Sequence, residues 1–404
     1  MQTLSRLTTA TWAMHIADQI AISSVPLIAA LSFNATPQII GALVACQALA
    51  HLIVSIPAGQ IVDRVAGRTV ATMAALIAFA GFAGATFSLA SSAIIFFAIS
   101  VTIAGIGIVL YVLATLSIIP TLVEKKNLAK ANAGMETGRA LAMFSMPLGV
   151  GLLASTGYVH VALPLACLAS VLAVIVSSRL PKCEAQPGNK PGIMQSIRNG
   201  GSFVIRQSLL RPIALCAIFW NLAFAALIAI LAPLLLNTFN ADPAIFGIAL
   251  SIQGIGMFVG ATLMRRYGDR IAPNHVLVFG LGISVLAIFI LVATPASGPI
   301  ELVYLTFFLL GIGPMMWLVT QNSIRQLITP GHMLGSVNAV IQTAIYGVRP
   351  LGALAGGFTA GNTSPQTALL YVAGAFVLSF LVSAFSALRT VKTYETKPTE
   401  AAKA

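Results

Sequence analysis

The residues of this chain that could do chemistry are a few ionisable side chains set inside long apolar runs. Asp18 stands in Trp12-Ala-Met-His15-Ile-Ala-Asp18-Gln19-Ile-Ala21, within the first such run, which begins near Leu7. At the rise of a helix it lies about 16 Å deep, close to the middle of a bilayer core. A carboxylate there costs roughly 2.5–3.5 kcal/mol on insertion scales, so it must face a cavity or a partner. Two readings are open: a protonatable coupling site, or a structural Asp bonded to a neighbouring helix. His15 lies one turn earlier on the same face, placed to share a proton with it. His15 could instead meet His51 of the second run at a metal, but no further ligand cluster completes a set and no metal is expected. Glu136 and Arg139 form an i, i+3 pair. They are either mutually neutralised at the membrane interface or part of a gate or cavity floor. Arg349 lies about 22 Å along its run from Leu334, beyond the midplane. It pairs across a cavity, with Asp18 as one candidate, or meets an anionic substrate group, or sits wet near the outer mouth.

Such residues need long helices to carry them, and the composition supplies these. The chain has 404 residues, 58% hydrophobic and 8% charged, with a mean hydropathy of +0.95; soluble domains carry about 25% charged residues. Twelve apolar runs lie near 7–32, 36–62, 69–91, 93–119, 133–156, 159–180, 212–236, 244–264, 274–294, 299–322, 334–360 and 366–388. The expected fold is an all-α membrane protein of twelve transmembrane helices in two six-helix bundles, 1–180 and 212–390. Residues 181–211, rich in Pro, Gly and basic side chains, read as a cytoplasmic linker with a short amphipathic piece around Ile193–Val204. Residues 391–404 read as a disordered polar tail.

The net charge of +12 does not signal nucleic acid. Of the 22 Lys and Arg, 20 fall at the termini or in loops on one side, and the loops of the other side carry none. By the positive-inside rule both termini are cytoplasmic, so the charge reports topology. Cys46, Cys167, Cys183 and Cys216 are scattered, without disulfide or zinc spacing. No short apolar segment with a small-residue cleavage site opens the chain, so the first run is expected to stay as a span.

Polar and adaptable side chains along the runs are candidates to line a substrate path. They are Gln19, Gln47, His51 and Tyr111, then Met143 and Met146, in the first half. In the second half they are Trp220, Asn221, Gln253, Trp317, Gln321, Gln342 and Tyr346, with Arg349. Packing or interfacial roles are the alternative for the two tryptophans.

Two loops repeat. Gly59-Gln-Ile-Val-Asp63-Arg64-Val-Ala-Gly67-Arg68 has a weaker copy 201 residues later, Gly260-Ala-Thr-Leu-Met-Arg265-Arg266-Tyr-Gly268-Asp269-Arg270. Gly permits close helix approach and the charged cluster sits at a helix end, as a cytoplasmic gate requires. Asn132-Ala and Asn338-Ala each precede a Pro-Leu-Gly, at Pro147 and Pro350, so both halves share a repeat of about 200 residues. The first loop resembles Gly-x-x-x-Asp-Arg-x-Gly-Arg of the major facilitator superfamily, with its second Gly one place late. Asp18 with Pro26-Leu27, the two loops and the stretch before the eleventh run are similar to the drug:proton antiporter branch that includes macrolide and enterobactin exporters. The fourth run lacks the mid-helix Arg that many drug:proton antiporters carry, so their proton relay is not carried over directly. Asn132-Ala-Gly-Met-Glu136 is similar to the Asn-x-x-Met-Glu of bacterial lysophospholipid transporters.

The resemblance implies alternating access and proton-coupled efflux of an amphipathic small molecule such as a drug or siderophore. Protons and the bilayer are its other partners, the proton gradient its energy source, with no cofactor and no nucleic acid. The setting implied is a bacterial inner membrane, multi-pass and monomeric. The alternatives are uptake or flipping of an anionic or lipidic solute, and a transporter-like receptor or scaffold. An enzyme is not expected, since no nucleophile–base or metal constellation appears, and no nucleotide-binding Gly-rich Lys-Ser/Thr loop supports ATP drive.

Overall fold

A long apolar segment in lipid must satisfy its own backbone, and helix is the local way to do so. The computed structural model follows that rule: it describes residues 2–122, 128–181, 193–268, 270–330 and 333–393, and these are nearly all helical. The side chains of His51, residues 55–64, residues 128–134 and Glu136 lie outside the described ones. Thirteen α-helices stand in these ranges: α1 Gln2–Leu31, α2 Pro37–Arg64, α3 Gly67–Ala90, α4 Ile94–Leu122, α5 Leu128–Ser155, α6 Ala162–Ser177, α7 Ile193–Arg206, α8 Leu210–Pro233, α9 Ala244–Tyr267, α10 Pro273–Ala293, α11 Glu301–Ile328, α12 Leu334–Asn362 and α13 Pro365–Ala384. Among the described residues, ten of them, all but α2, α7 and α12, are long and apolar enough by length and composition to cross a membrane. α2 and α12 are of matching length, 28 and 29 residues, and occupy the remaining two expected spans. The one helix outside this set, α7, is the amphipathic piece expected in the linker. α5 begins at Leu128, a turn ahead of its apolar run, so Glu136 lies on its third turn and Arg139 at the start of its fourth.

The chain forms two compact units. The first gathers Met1–Lys190, Ala225–Ser251 and Arg349–Pro365, that is, α1 to α6 with the adjoining ends of α8, α9 and α12. Within it α3 packs on α4 and α6, α1 on α4, α5 and α6, and α2 on α4. Two hydroxyl contacts tie these helices: Thr11 to Thr115 at 3.5 Å and Tyr111 to Ser177 at 2.9 Å.

The same unit contains an internal symmetry. Phe33-Asn34-Ala35-Thr36-Pro37 and Phe239-Asn240-Ala241-Asp242-Pro243 lie 206 residues apart and make the same turn. Asn34 and Asn240 adopt φ of 48° and 47°, a left-handed conformation that Asn tolerates. The amide of Ala35 donates to Ala29 O and that of Ala241 to Leu235 O, both at 2.9 Å. Beyond the two turns stand Gly41 on α2 and Gly247 on α9, again 206 apart, and each meets the other repeat's glycine. A Cβ on Gly41 would lie 2.8 Å from Gly357 Cα on α12, and one on Gly151 of α5 would lie 2.9 Å from Gly247 Cα. Gly151 and Gly357 are themselves 206 apart, so the two contacts are one contact used twice. No Cβ fits at these four positions, and the backbones touch as small-residue membrane interfaces do. Both contacts lie at the end of the helices whose short loops, 32–36, 156–158, 239–243 and 363–364, carry no Lys or Arg.

The second unit holds Pro191–Phe224, Ile252–Val348 and Gln366–Ala404. Its core joins Ile213, Cys216, Leu277, Leu281, Trp317, Ile324 and Leu388. Ser379 Oγ donates to Cys216 O at 2.9 Å and Ser383 Oγ to Leu277 O at 2.8 Å, hydrogen bonds between helices that lipid cannot replace. α7 docks through Val204 onto Leu210, Val337 and Ile341. A Cβ on its Gly200 would stand 2.6 Å from Ser336 O, so α7 lies directly against the start of α12.

Gly41→Val and Gly247→Val, each forcing a methyl-bearing carbon into backbone, are expected to lower stability by about 1–3 kcal/mol. Gly149→Val, which faces nothing within 4 Å, is the control. Thermal unfolding of the purified protein measures all three; equal midpoints would show that the close approach is not needed.

Candidate functional site

Asp18 is the one acidic residue of α1, and its surroundings come from three helices. It is partly accessible, and the Gln19 amide donates to its Oδ2 at 3.4 Å. The guanidinium groups of Arg139 on α5 and Arg349 on α12 both act on the carboxylate electrostatically. His15, a turn before it, is 7% exposed and feels Arg139 as well. One carboxylate thus feels the charge of two cations brought from residues far apart in the chain. In a medium poorer in water than bulk, such attraction is several-fold stronger than at a soluble surface.

Local packing explains the placement. Gly138, beside Arg139, lies so close to the Trp12 indole that a Cβ would overlap the ring. α1 and α5 therefore touch right beside Arg139, with Trp12, His15 and Asp18 following on one strip of α1. Gln47 Nε2 donates to Ala21 O at 3.1 Å and ties α2 to the same stretch of α1. Pro350 follows Arg349 inside α12, and Pro147 stands at the corresponding place in α5. Each removes a backbone donor and loosens its helix, Pro350 directly beside the charged Arg349.

The other residues singled out from the sequence divide between the two units. In the first, Met143 and Met146 are half-buried on α5, and Arg68 is half-buried after α2. Tyr111 has no exposed surface and spends its hydroxyl on Ser177. In the second, Trp220 stacks on Phe224 with ring centres 5.0 Å apart and donates to Ser284 Oγ at 3.1 Å. Asn221 donates to Ala217 O of its own helix at 2.9 Å. Trp317 is 6% exposed within the apolar core. Gln321 donates to Asn322 Oδ1 at 2.6 Å. Gln253 and Tyr346 are half-buried, and Gln342 and Arg265 are exposed. Gly260 packs against Ile312 and Gly268 against Met264. His51, Gly59, Asp63, Arg64 and Glu136 lie outside the described side chains. Among the described residues no group of three or more His, Cys, Asp or Glu is placed to hold a metal ion.

Residue types alone do not reveal the glycines at 41, 151, 247 and 357 or the Gly138–Trp12 contact. A signal for Gly41 and Gly247 was present, as Phe-Asn-Ala-x-Pro followed four residues later by Gly in both halves.

The family profile described as transmembrane secretion effector matches residues 9–404. The multidrug resistance protein MdtG of Proteus mirabilis (strain HI4320) is 32% identical over 147 residues, which are 36% of this chain and 35% of that protein's length. Among solved structures, the nucleoside transporter NupG aligns with a TM-score of 0.76 at 13% identity, over 95% of this chain and 99% of that one. A bacterial homologue of the human lysosomal transporter Spinster, inward-facing and unoccupied, aligns at 0.74 and 16% over 98% of both chains. A peptide-transporter (POT) family member with 5-aminolevulinic acid aligns at 0.78 and 13%, over 95% and 96%. At these identities the likeness is one of fold.

If Asp18 balances Arg139, the two are energetically coupled. Asp18→Asn is expected to lower the thermal midpoint, and adding Arg139→Gln to restore part of the loss, a coupling of at least about 0.5 kcal/mol. Strictly additive losses in the double-mutant cycle would remove the pairing.

Proposed function

We infer, for a chain that belongs to the transmembrane secretion effector family of major facilitator transporters, that it exports an amphipathic small molecule in exchange for protons. That it is a multi-pass membrane transporter and not an enzyme follows from the family and the spans. The finer reading rests above all on Asp18, at the middle of a span and within the electrostatic reach of Arg139 and Arg349. The partial match to a multidrug resistance protein supports efflux as the direction.

In this reading the proton is a charge switch. Ionised Asp18 attracts both guanidiniums; protonated Asp18 does not, so protonation loosens α1 from α5 and α12. From the outward-open state, substrate leaves and a proton neutralises Asp18. After the return inward the proton departs, the ion pairs re-form, and a new substrate molecule enters. Exchange follows because proton and substrate compete for one set of groups. The basic loops support cytoplasmic termini, and in this reading the membrane is a bacterial inner membrane and its proton gradient the energy source. The paired glycine contacts then hold the outer end shut and must part for release. Backbone contacts without a hydrophobic drive between them suit a closure that has to open in every cycle.

A second reading, uptake or flipping of an anionic or lipidic solute, has the same two arginines in its favour. There Arg349 anchors the solute's negative group, and Asp18 keeps the site balanced when it is empty.

Inside-out vesicles carrying wild type or Asp18→Asn, challenged with dyes, siderophores and lysolipids, test the inference. Proton release from the lumen on addition of a compound, lost in Asp18→Asn, is the expected result. Compound movement without proton movement, or with equal proton movement in the variant, would overturn it.

A further inference from the structure

The transport reading uses no part of a cavity of about 350 Å³ in the second unit, formed where α8 begins and α13 ends. Its walls are of two kinds. Pro212, Leu215, Val382 and Phe385 are apolar, and Leu215 and Phe385 are 39% and 77% exposed. Arg211, exposed, and the hydroxyls of Ser208 and Ser386 stand beside them. Arg211 and Leu215 are one helical turn apart, so cation and apolar wall share one face of α8.

The two segments that line this cavity carry charge of one sign. Residues 193–224 and 366–393, which build this part of the unit, contain Arg198, Arg206, Arg211, Arg389 and Lys392 and no Asp or Glu. The cavity lies at the end of two spans where apolar surface gives way to basic residues, the depth at which phospholipid headgroups sit. Its volume is at the small end of ligand sites. It takes a headgroup and the first methylenes of a chain, while the rest of the chain follows the apolar outer side of α8 and α13. A free inorganic anion would need no apolar wall, and a zwitterionic lipid would draw little from an unopposed arginine.

We propose that this cavity binds an anionic phospholipid of the surrounding bilayer, with Arg211 and the Ser208 and Ser386 hydroxyls on the headgroup phosphate and Leu215, Val382 and Phe385 along the acyl chain. The lipid holds α8 and α13 together at their basic ends, next to the α7 segment.

Phe385→Trp places a reporter in the wall of the site. The full chain carrying it is set in bilayer discs containing phosphatidylglycerol or phosphatidylcholine with brominated acyl chains. Quenching is read after subtracting that of Trp12, Trp220 and Trp317 in the parent protein. The expected result is a preference of about five-fold for phosphatidylglycerol, the effect of one arginine near a charged membrane surface. Adding Arg211→Gln should bring the preference close to one, adding Arg211→Lys should keep most of it, and Arg270→Gln should leave it unchanged. Equal quenching by the two lipids, a preference that survives Arg211→Gln, or relief of quenching by inorganic phosphate would each overturn the proposal. Thermal unfolding of each variant in the same discs confirms that a lost preference is not a lost fold.

Discussion

A carboxylate within the electrostatic reach of two guanidiniums is the interaction on which the rest of this structure turns. Lone charges inside a membrane are expensive, and their cost falls only when opposite charges face one another away from lipid. Asp18, Arg139 and Arg349 come from α1, α5 and α12, so their meeting determines which face of each helix turns away from lipid. Gly138 then has to be glycine, because the Trp12 ring occupies the space where α5 approaches α1. Removing any one of the three charges changes what the other two must do, which makes the cluster suited to respond to a proton.

The second constraint is backbone contact. Apolar side chains give helices no reason to prefer each other over lipid tails, so close approach must come from the absence of side chains. The pairs Gly41 with Gly357 and Gly151 with Gly247 apply this at two places related by the 206-residue repeat. The adjacent Phe-Asn-Ala-x-Pro turns begin α2 and α9 in the same way, with Asn in a left-handed conformation at both. One device used at both places of the repeat thus gives two backbone contacts of the same kind. The prolines at 147 and 350 put a flexible point in each helix that carries the second glycine of a pair.

Much of the fold could be read from the chain because spanning helices obey length and polarity rules that act locally. The twelve runs and the amphipathic helix at Ile193–Arg206 needed no tertiary information. Asp18 and Arg349 stood out for the same reason, as charges at depths where charge is costly. The partnership of Asp18 with Arg139 was less visible: Arg139 has Glu136 one turn away in its own helix, and only the crossing of α1 and α5 brings it to Asp18. Tyr111 and Trp317 drew attention by residue type, yet one is fully buried against Ser177 and the other sits in an apolar core. What separates a cavity wall from packing is the arrangement of neighbouring helices, and no pattern along one helix encodes it.

The most direct test is counterflow of a labelled substrate in proteoliposomes, comparing wild type with Asp18→Asn, with and without an imposed pH gradient. The account predicts that wild type accumulates label in response to the gradient. The variant, locked in the uncharged form, should still exchange label for unlabelled substrate but ignore the gradient. Gradient-driven accumulation by Asp18→Asn would contradict the account, because the proton would then be carried by another group.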